Sequence, residues 1–207
     1  MALLREKQKH LTMKKLSYLG MIVIAAFAFQ GCTSEPKDAK ETADSLNETK
    51  DSTSNTTATG GIAVDDDDAE FATKAAVGGM AEVEFGKLAL AKSNNEKIKA
   101  FANMMVNDHG KANEELKTLA ASKNISLPTD LDEDHKKVRD DLNTASGKDF
   151  DKKYVDAMVD GHEKTWDLMD KESKDGKDAA LKAFATQTAP VVKGHLDMIK
   201  KIKDGLK

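Results

Sequence analysis

Three histidines stand in nearly the same short sequence context, and imidazole side chains bind metals or move protons. The fragments are Val106-Asn-Asp-His109, Val159-Asp-Gly-His162 and Val192-Lys-Gly-His195. At about 100° per residue, His109 and His195 fall on the apolar faces of their helices, and His162 falls at the edge of its face. Three inward-facing histidines on three helices predict that the rings meet in the interior.

Glu82 offers an acid for the same place, because it follows the apolar face that begins at Phe71 and continues to Ala89. Counted from the turn that joins their helices, Glu82 and His109 differ in height by only about 4–5 Å. A histidine-rich set with one carboxylate suits zinc, copper, iron or nickel. The candidate metal ligands are therefore Glu82, His109, His162 and His195.

A purely structural interpretation of these residues stays open beside the metal site. Buried histidines commonly hydrogen-bond a neighbouring carboxylate, and Glu82 with Asp108 provides enough acceptors for two or three rings. The two interpretations differ in one geometric respect: a metal site needs ring nitrogens that converge on one point.

The residue three positions before each histidine argues against di-iron chemistry. Di-iron carboxylate bundles carry a Glu there, followed by the histidine. Here the position is held by Val106, Val159 and Val192, which cannot bridge two irons. The sequence also lacks a nucleophile–His–acid set and a glycine-rich phosphate loop, so we expect a protein that is not an enzyme.

Cys32 is the only cysteine, and it follows an apolar run of 14 residues, Leu16–Phe29, that is preceded by Lys14 and Lys15. This pattern is typical of a secretory signal. Gly31 before Cys32 resembles the lipobox of bacterial lipoproteins, in which the cysteine becomes lipid-modified. An ordinary signal peptide with a chance cysteine is the alternative. Residues 1–32 are interpreted as the signal peptide, and Met13 is a better start than Met1, which would leave residues 1–12 outside the protein.

The charge balance bears on the class of partner. Residues 1–32 hold five basic residues and one acidic residue, which leaves 27 basic and 35 acidic residues and a net charge of −8 in the remainder. Nucleic-acid affinity comes largely from neutralised phosphates, so this acidic chain is unsuited to it. Membrane attachment is therefore expected only through lipidated Cys32.

Residues 33–66 are polar and contain very few large apolar residues, so we expect a disordered acidic tether. Helical periodicity begins at Asp67 and continues to the end of the chain. It predicts long helices around Phe71–Ala89, Ile98–Leu119, Phe150–Met169 and Leu181–Ile202, and a short helix around Leu131–Leu142. Residues 67–207 thus predict an all-α domain, an antiparallel four-helix bundle whose crossover carries the short helix.

Several fragments together resemble one family, the domain of unknown function 4142 family. They are Gly79-Met-Ala-Glu-Val-Glu-Phe-Gly-Lys-Leu-Ala89, Met105-Val-Asn-Asp-His109, Leu127-Pro128, Phe150-Asp-Lys-Lys-Tyr154, Met158-Val-Asp-Gly-His162, and Pro190 with His195. The resemblance covers residues 67–205. It implies a ferritin-like bundle in an exported, often lipid-anchored bacterial protein, and it implies no reaction.

These observations lead to two functional hypotheses. The first is a lipoprotein of the bacterial cell envelope, anchored in the outer membrane, whose bundle is a non-enzymatic binding or structural module. The second is a metal-binding or metal-handling protein that uses the histidine cluster for zinc, copper or iron. The sequence leaves the protein partner and homo-oligomerisation open.

Overall fold

The computed structural model describes residues 37–52, 61–62 and 64–206, and every regular element within them is helical. Cys32 and the expected signal peptide lie outside these residues. None of the described helices combines the length and the apolar character that crossing a membrane requires.

Four long helical rods form the body of the fold. The first is α2 (Asp66–Lys92), and the second is α3 (Glu96–Met104) continued by a π-helical segment (Met105–His109) and α4 (Gly110–Ser122). The third and fourth are α6 (Gly147–Asp175) and α7 (Ala179–Asp204). Three-residue turns join α2 to α3 and α6 to α7, so each pair forms an antiparallel hairpin. The all-α prediction is confirmed.

Capping residues fix where the rods begin. Asp65 accepts a hydrogen bond from the backbone N–H of Asp67, and Asn95 accepts from the N–H of Lys97. Asp178 accepts from the N–H groups of Ala180 and Leu181 at the start of α7. Such side chains satisfy backbone donors that a helix start leaves without partners.

The crossover between the hairpins contains α5 (Glu133–Thr144), as the sequence predicts. Asp132 caps it by accepting a hydrogen bond from the N–H of His135. Leu131 and Leu142 are buried at its two ends, which holds the crossover against the bundle.

Part of the segment expected to be disordered is helical in the structure. α1 (Ala39–Ser52) packs on α2, and its contacts bury Ala43 and Asn47. The Asn47 side chain donates to the Ser126 carbonyl at 3.0 Å and accepts from the Ser126 N–H at 2.7 Å. Composition indicates disorder here because the contacts use a small residue and an amide instead of large apolar side chains.

The interior contains two apolar clusters at different levels of the bundle. One is built around Phe101, Tyr154 and Ile199, and the other around Phe71, Leu116 and Phe184. Along each long rod, a buried polar residue lies in sequence between members of the two clusters. Those residues are Glu82, His109, His162 and His195.

Candidate metal centre

The three histidine rings meet in the interior of the bundle, as the periodicity predicts. The ring centroids of His109 and His162 are 5.4 Å apart, those of His109 and His195 are 5.4 Å apart, and those of His162 and His195 are 5.7 Å apart. The residues are 6%, 0% and 6% exposed for His109, His162 and His195. Each ring offers one nitrogen, and these nitrogens lie within 4.8 Å of one another.

Glycines on α2 allow the close packing that brings Glu82 to His109. A Cβ atom on Gly79 would lie 2.0 Å from Oδ1 of Asn113, and a Cβ atom on Gly86 would lie 3.1 Å from the carbonyl oxygen of Ala102. Both glycines therefore face the α3–α4 rod, and a larger residue at either position would push that rod away from α2. They flank Glu82 along α2, three residues before it and four after it.

The π-helical segment sets the direction of two side chains at once. Because a π-helical turn contains more residues than an α-helical turn, neighbouring residues in it point in more similar directions. Asp108 and His109 lie at the end of this segment, and both contact His195 on α7. The sequence predicts one continuous helix here, because the periodicity is read at about 100° per residue and so assumes α-helical geometry throughout.

His162 has one satisfied nitrogen and one free nitrogen. Its Nδ1 lies 2.8 Å from the carbonyl oxygen of Met158, and a carbonyl oxygen only accepts, so Nδ1 carries the proton. Nε2 is then an acceptor, and it is buried without a hydrogen-bond partner. A buried, unpaired acceptor costs about 1–3 kcal/mol. A metal ion bound at Nε2 would remove that cost.

His109 and His195 are oriented by carboxylates. Nδ1 of His109 lies 2.7 Å from Oε2 of Glu82, and Nε2 of His195 lies 3.2 Å from Oδ2 of Asp108. These contacts favour protons on the two outward nitrogens. The remaining nitrogens, Nε2 of His109 and Nδ1 of His195, lie 3.3 Å apart. Two acceptors at this distance repel each other unless a proton or a metal ion lies beside both.

Glu82 is 2% exposed and lies behind the rings. The sequence predicts it as a fourth metal ligand, whereas the structure places its oxygens 2.7 Å from Nδ1 of His109 and 3.3 Å from Nδ1 of His162. It is not one of the three groups that offer a converging ligand atom. Glu82 therefore faces the outward nitrogens of His109 and His162, and the three histidines are the residues that converge.

Burial and neighbouring charges shift the pKa values of these groups. Burial favours the neutral form of Glu82, but His109 and His162 outweigh it and lower the pKa of Glu82 to about 2. Burial likewise opposes protonation of His109, but Glu82 outweighs it and raises the pKa of His109. For His162 and His195, burial lowers the pKa, with a further lowering from the charge of His109. The second proton on the cluster is thus disfavoured.

Two surface cavities approach the cluster from different sides. The α7 cavity, of about 360 Å³, is lined by Asp108, His109, Lys111, Ala112, Glu115, Gln187, Thr188, Val191, Val192 and His195. The α6 groove, of about 340 Å³, lies between α2 and α6 and reaches Glu82 but none of the three histidines; its lining includes Gly78, Ala81, Asp160, Gly161 and Lys164. Of these two, the α7 cavity is the one that contacts histidines of the cluster.

Two contacts of the site carry no sequence signal of their own. The Thr165 hydroxyl lies 3.4 Å from Oε1 of Glu82, and the Phe101 ring closes the apolar side at 5.7 Å from the His162 ring. A helical pattern places such residues on an inward face, but it does not say which neighbour they meet.

The chain belongs to the family described as domain of unknown function 4142, whose model matches residues 52–202. The expected family is therefore confirmed. No curated protein matches the chain at the threshold of the comparison.

Solved structures share the fold at low sequence identity. A structure described as CopM in the Cu(II)-bound form has a TM-score of 0.59 at 15% identity and covers 68% of this chain and 97% of that chain. CopM in the Ag-bound form gives 0.56 at 16% identity, with 67% and 96% covered. A DUF305 fragment from Deinococcus radiodurans gives 0.61 at 8% identity, with 68% and 97% covered. At these identities the likeness shows the fold alone.

Proposed function

We propose that this protein binds one transition-metal ion, copper foremost, through His109, His162 and His195. The observation that carries the proposal is Nε2 of His162, a fully buried acceptor that has no hydrogen-bond partner and belongs to one of the three histidines that converge. Imidazole nitrogens are ligands that copper, zinc, iron and nickel accept.

The outward nitrogens support this function. Histidines that bind metals usually donate their other N–H to a carboxylate or a backbone carbonyl, which fixes the tautomer. Here the outward nitrogens of His109, His162 and His195 face Glu82, the Met158 carbonyl and Asp108. Ligands of a tetrahedral ion with bonds of about 2.0–2.1 Å lie roughly 3.4 Å apart. Nε2 of His109 and Nδ1 of His195 already have this spacing at 3.3 Å, so binding requires a shift mainly of the His162 ring.

The choice of copper draws on the solved structures of similar fold. Two of them are described as CopM with Cu(II) and with silver bound. A three-nitrogen site also suits monovalent copper and silver, for which silver ion is a redox-inert probe. The ferritin-like four-helix arrangement implied by the family provides facing helices for a site in the core.

The place of this function is the bacterial cell envelope. We propose that Cys32 carries the lipid and holds the bundle at the outer membrane, and that the protein binds its ion without catalysing a reaction. Acyl chains contribute about 0.8 kcal/mol per buried CH₂, so two or more anchor stably. The Cys32→Ser protein should leave the membrane fraction; if it stays there after a high-salt wash, the anchor is elsewhere.

Thermal unfolding with and without metal tests the binding function. An ion at 100 times its Kd stabilises by about 2.7 kcal/mol, which raises Tm by roughly 5–10 °C for a chain of this size. Silver, copper and zinc ions should be tested separately on the wild type and on His162→Ala. His135→Ala is the matched control, because His135 contacts Asp132 on α5 and lies outside the cluster.

The expected result is a metal-dependent rise in Tm for the wild type and His135→Ala, and little or none for His162→Ala. Equal responses of all three proteins would contradict the proposal. No response in any of them would leave the cluster as a structural set of hydrogen-bonded histidines, which is the first hypothesis from the sequence.

A further inference from the structure

The binding site is buried, so an ion needs a path to it. His162 is fully buried, whereas His109 and His195 keep a small exposure and line the α7 cavity. The α6 groove ends at Glu82, whose oxygens contact the outward Nδ1 atoms. An ion in the α6 groove would therefore meet Glu82 and none of the three histidines, whereas an ion in the α7 cavity would contact His109 and His195 directly.

The His195 ring connects the surface to the site. Its Nε2 contacts Asp108 at 3.2 Å, and its Nδ1 faces His109 Nε2 at 3.3 Å. The Asp108 side chain is 41% exposed, so its carboxylate is open to solvent at the mouth of the cavity. Glu115 provides a second carboxylate in the lining. The two carboxylates outnumber the one lysine of the lining, Lys111, and acids that line a cleft raise the local concentration of cations.

The helix that carries His195 is weakened beside the cavity. Pro190 lies inside α7, five residues before His195, and proline removes one backbone hydrogen bond from a helix interior. The next residue, Val191, lines the cavity and is 46% exposed. The part of α7 that borders the cavity therefore lacks one of the backbone hydrogen bonds that a helix interior normally has.

We propose that the α7 cavity is the port through which the metal ion reaches and leaves the site, with Asp108 as its first contact and as the residue that positions His195. This inference rests on the proposed metal binding. The ligand is a small cation, and we expect it to enter through the α7 cavity and not through the α6 groove.

A bulky side chain at the mouth of the α7 cavity distinguishes a port from a surface cavity that the ion does not pass through. Val191→Trp should slow association and dissociation of silver ion by a similar factor, about tenfold, and leave Kd unchanged, because a narrower path affects both directions alike. The matched control is Lys164→Trp, which narrows the α6 groove at a side chain that is 76% exposed. It should leave both rates at the wild-type values.

A second pair of variants tests Asp108. Asp108→Asn should slow association several-fold and flatten its dependence on salt, as removal of a steering charge does. Asp160→Asn, in the lining of the α6 groove, should change neither. A role for Asp108 in structure alone would alter Kd through dissociation and would leave the salt dependence of association intact.

The experiment is stopped-flow mixing of the purified full chain with silver ion, followed by release to a chelator, with Kd measured in parallel. Slowing by Val191→Trp at constant Kd together with the Asp108→Asn effect supports the port. Wild-type rates for Val191→Trp, or slowing by Lys164→Trp instead, would overturn it while the binding function stands. Absence of silver binding to the wild type would overturn both proposals, and the Kd measurement shows which case applies.

Discussion

Two buried glutamates lie at opposite levels of the bundle, and their surroundings shift them in opposite directions. Glu82 lies among the histidines, which outweigh its burial and lower its pKa to about 2. Glu172, near the end of α6, is also buried; burial first, and then the carboxylate of Asp68, raise its pKa to about 7. One residue type is thus held as an anion in one region and takes up its proton near neutral pH in the other.

The neighbours of Glu172 explain its raised pKa. Asp68 is 1% exposed, and its two oxygens accept hydrogen bonds from the N–H groups of Lys177 and Asp178 at 3.0 and 2.6 Å. Asp68 therefore holds the turn between α6 and α7. Protonated Glu172 can donate to it, whereas ionised Glu172 would repel it. A buried carboxylate needs a nearby cation or a proton. Glu82 has the first in His109, and Glu172 takes up the second.

The same substitution should therefore have opposite effects at the two positions, and the larger effect is expected at Glu82. In metal-free protein at pH 7, Glu82→Gln should lower the free energy of unfolding by about 2–4 kcal/mol, because a charged partner of His109 is lost. Since the folded-state pKa is depressed, this contribution is present above about pH 4.5 and is lost as the pH falls towards 2. Urea unfolding of wild type and variant at pH 7 and pH 3 measures it; a difference that does not shrink in acid would contradict the charge argument.

A double-mutant cycle sharpens this result. The combination of Glu82→Gln and His109→Ala should cost less than the sum of the single changes, as for residues in contact. Additive costs would mean that the 2.7 Å contact contributes nothing to stability.

Near the end of α6, Glu172→Gln should stabilise the protein at pH 8 by about 1–2 kcal/mol. This is less than the free energy that the full pKa shift corresponds to, because solvent in the adjacent surface cavity screens the charge. The folded-state pKa is raised, so stability falls as the pH rises from about 4.5 to about 7, where only the unfolded state has released its proton. The variant should lack this decline. Calorimetric Tm values from pH 4 to 8 provide the test, and parallel profiles for the two proteins would refute it.

The smallest effect is expected where the contact involves no charge. Asn47→Ala removes the two hydrogen bonds to Ser126 and should cost about 1 kcal/mol. Leu46→Ala on the same helix is the control, because Leu46 is 50% exposed. Hydrogen exchange of α1 should accelerate in Asn47→Ala only. Equal exchange in both variants would show that the Asn47 contact does not hold α1 on the bundle.

Helical periodicity was sufficient to predict the all-α fold and the meeting of His109, His162 and His195, because a face of a long helix is visible in sequence. It was insufficient for three features. α1 is buried through Ala43 and Asn47, which carry no apolar signal. The π-helical segment depends on one extra residue. The contact of Glu82 with the Nδ1 atoms depends on which side of each ring it meets, and a helical face does not show this.

The location of the bound ion tests the central claim most directly. Crystals of the metal-loaded protein should give one anomalous-scattering peak, recorded at the metal edge, within about 2.0–2.2 Å of Nε2 of His109, Nε2 of His162 and Nδ1 of His195 for zinc or copper. Glu82 should remain on the outward nitrogens. A peak at His135, at surface carboxylates, or bonded to Glu82 in place of a histidine would contradict the account.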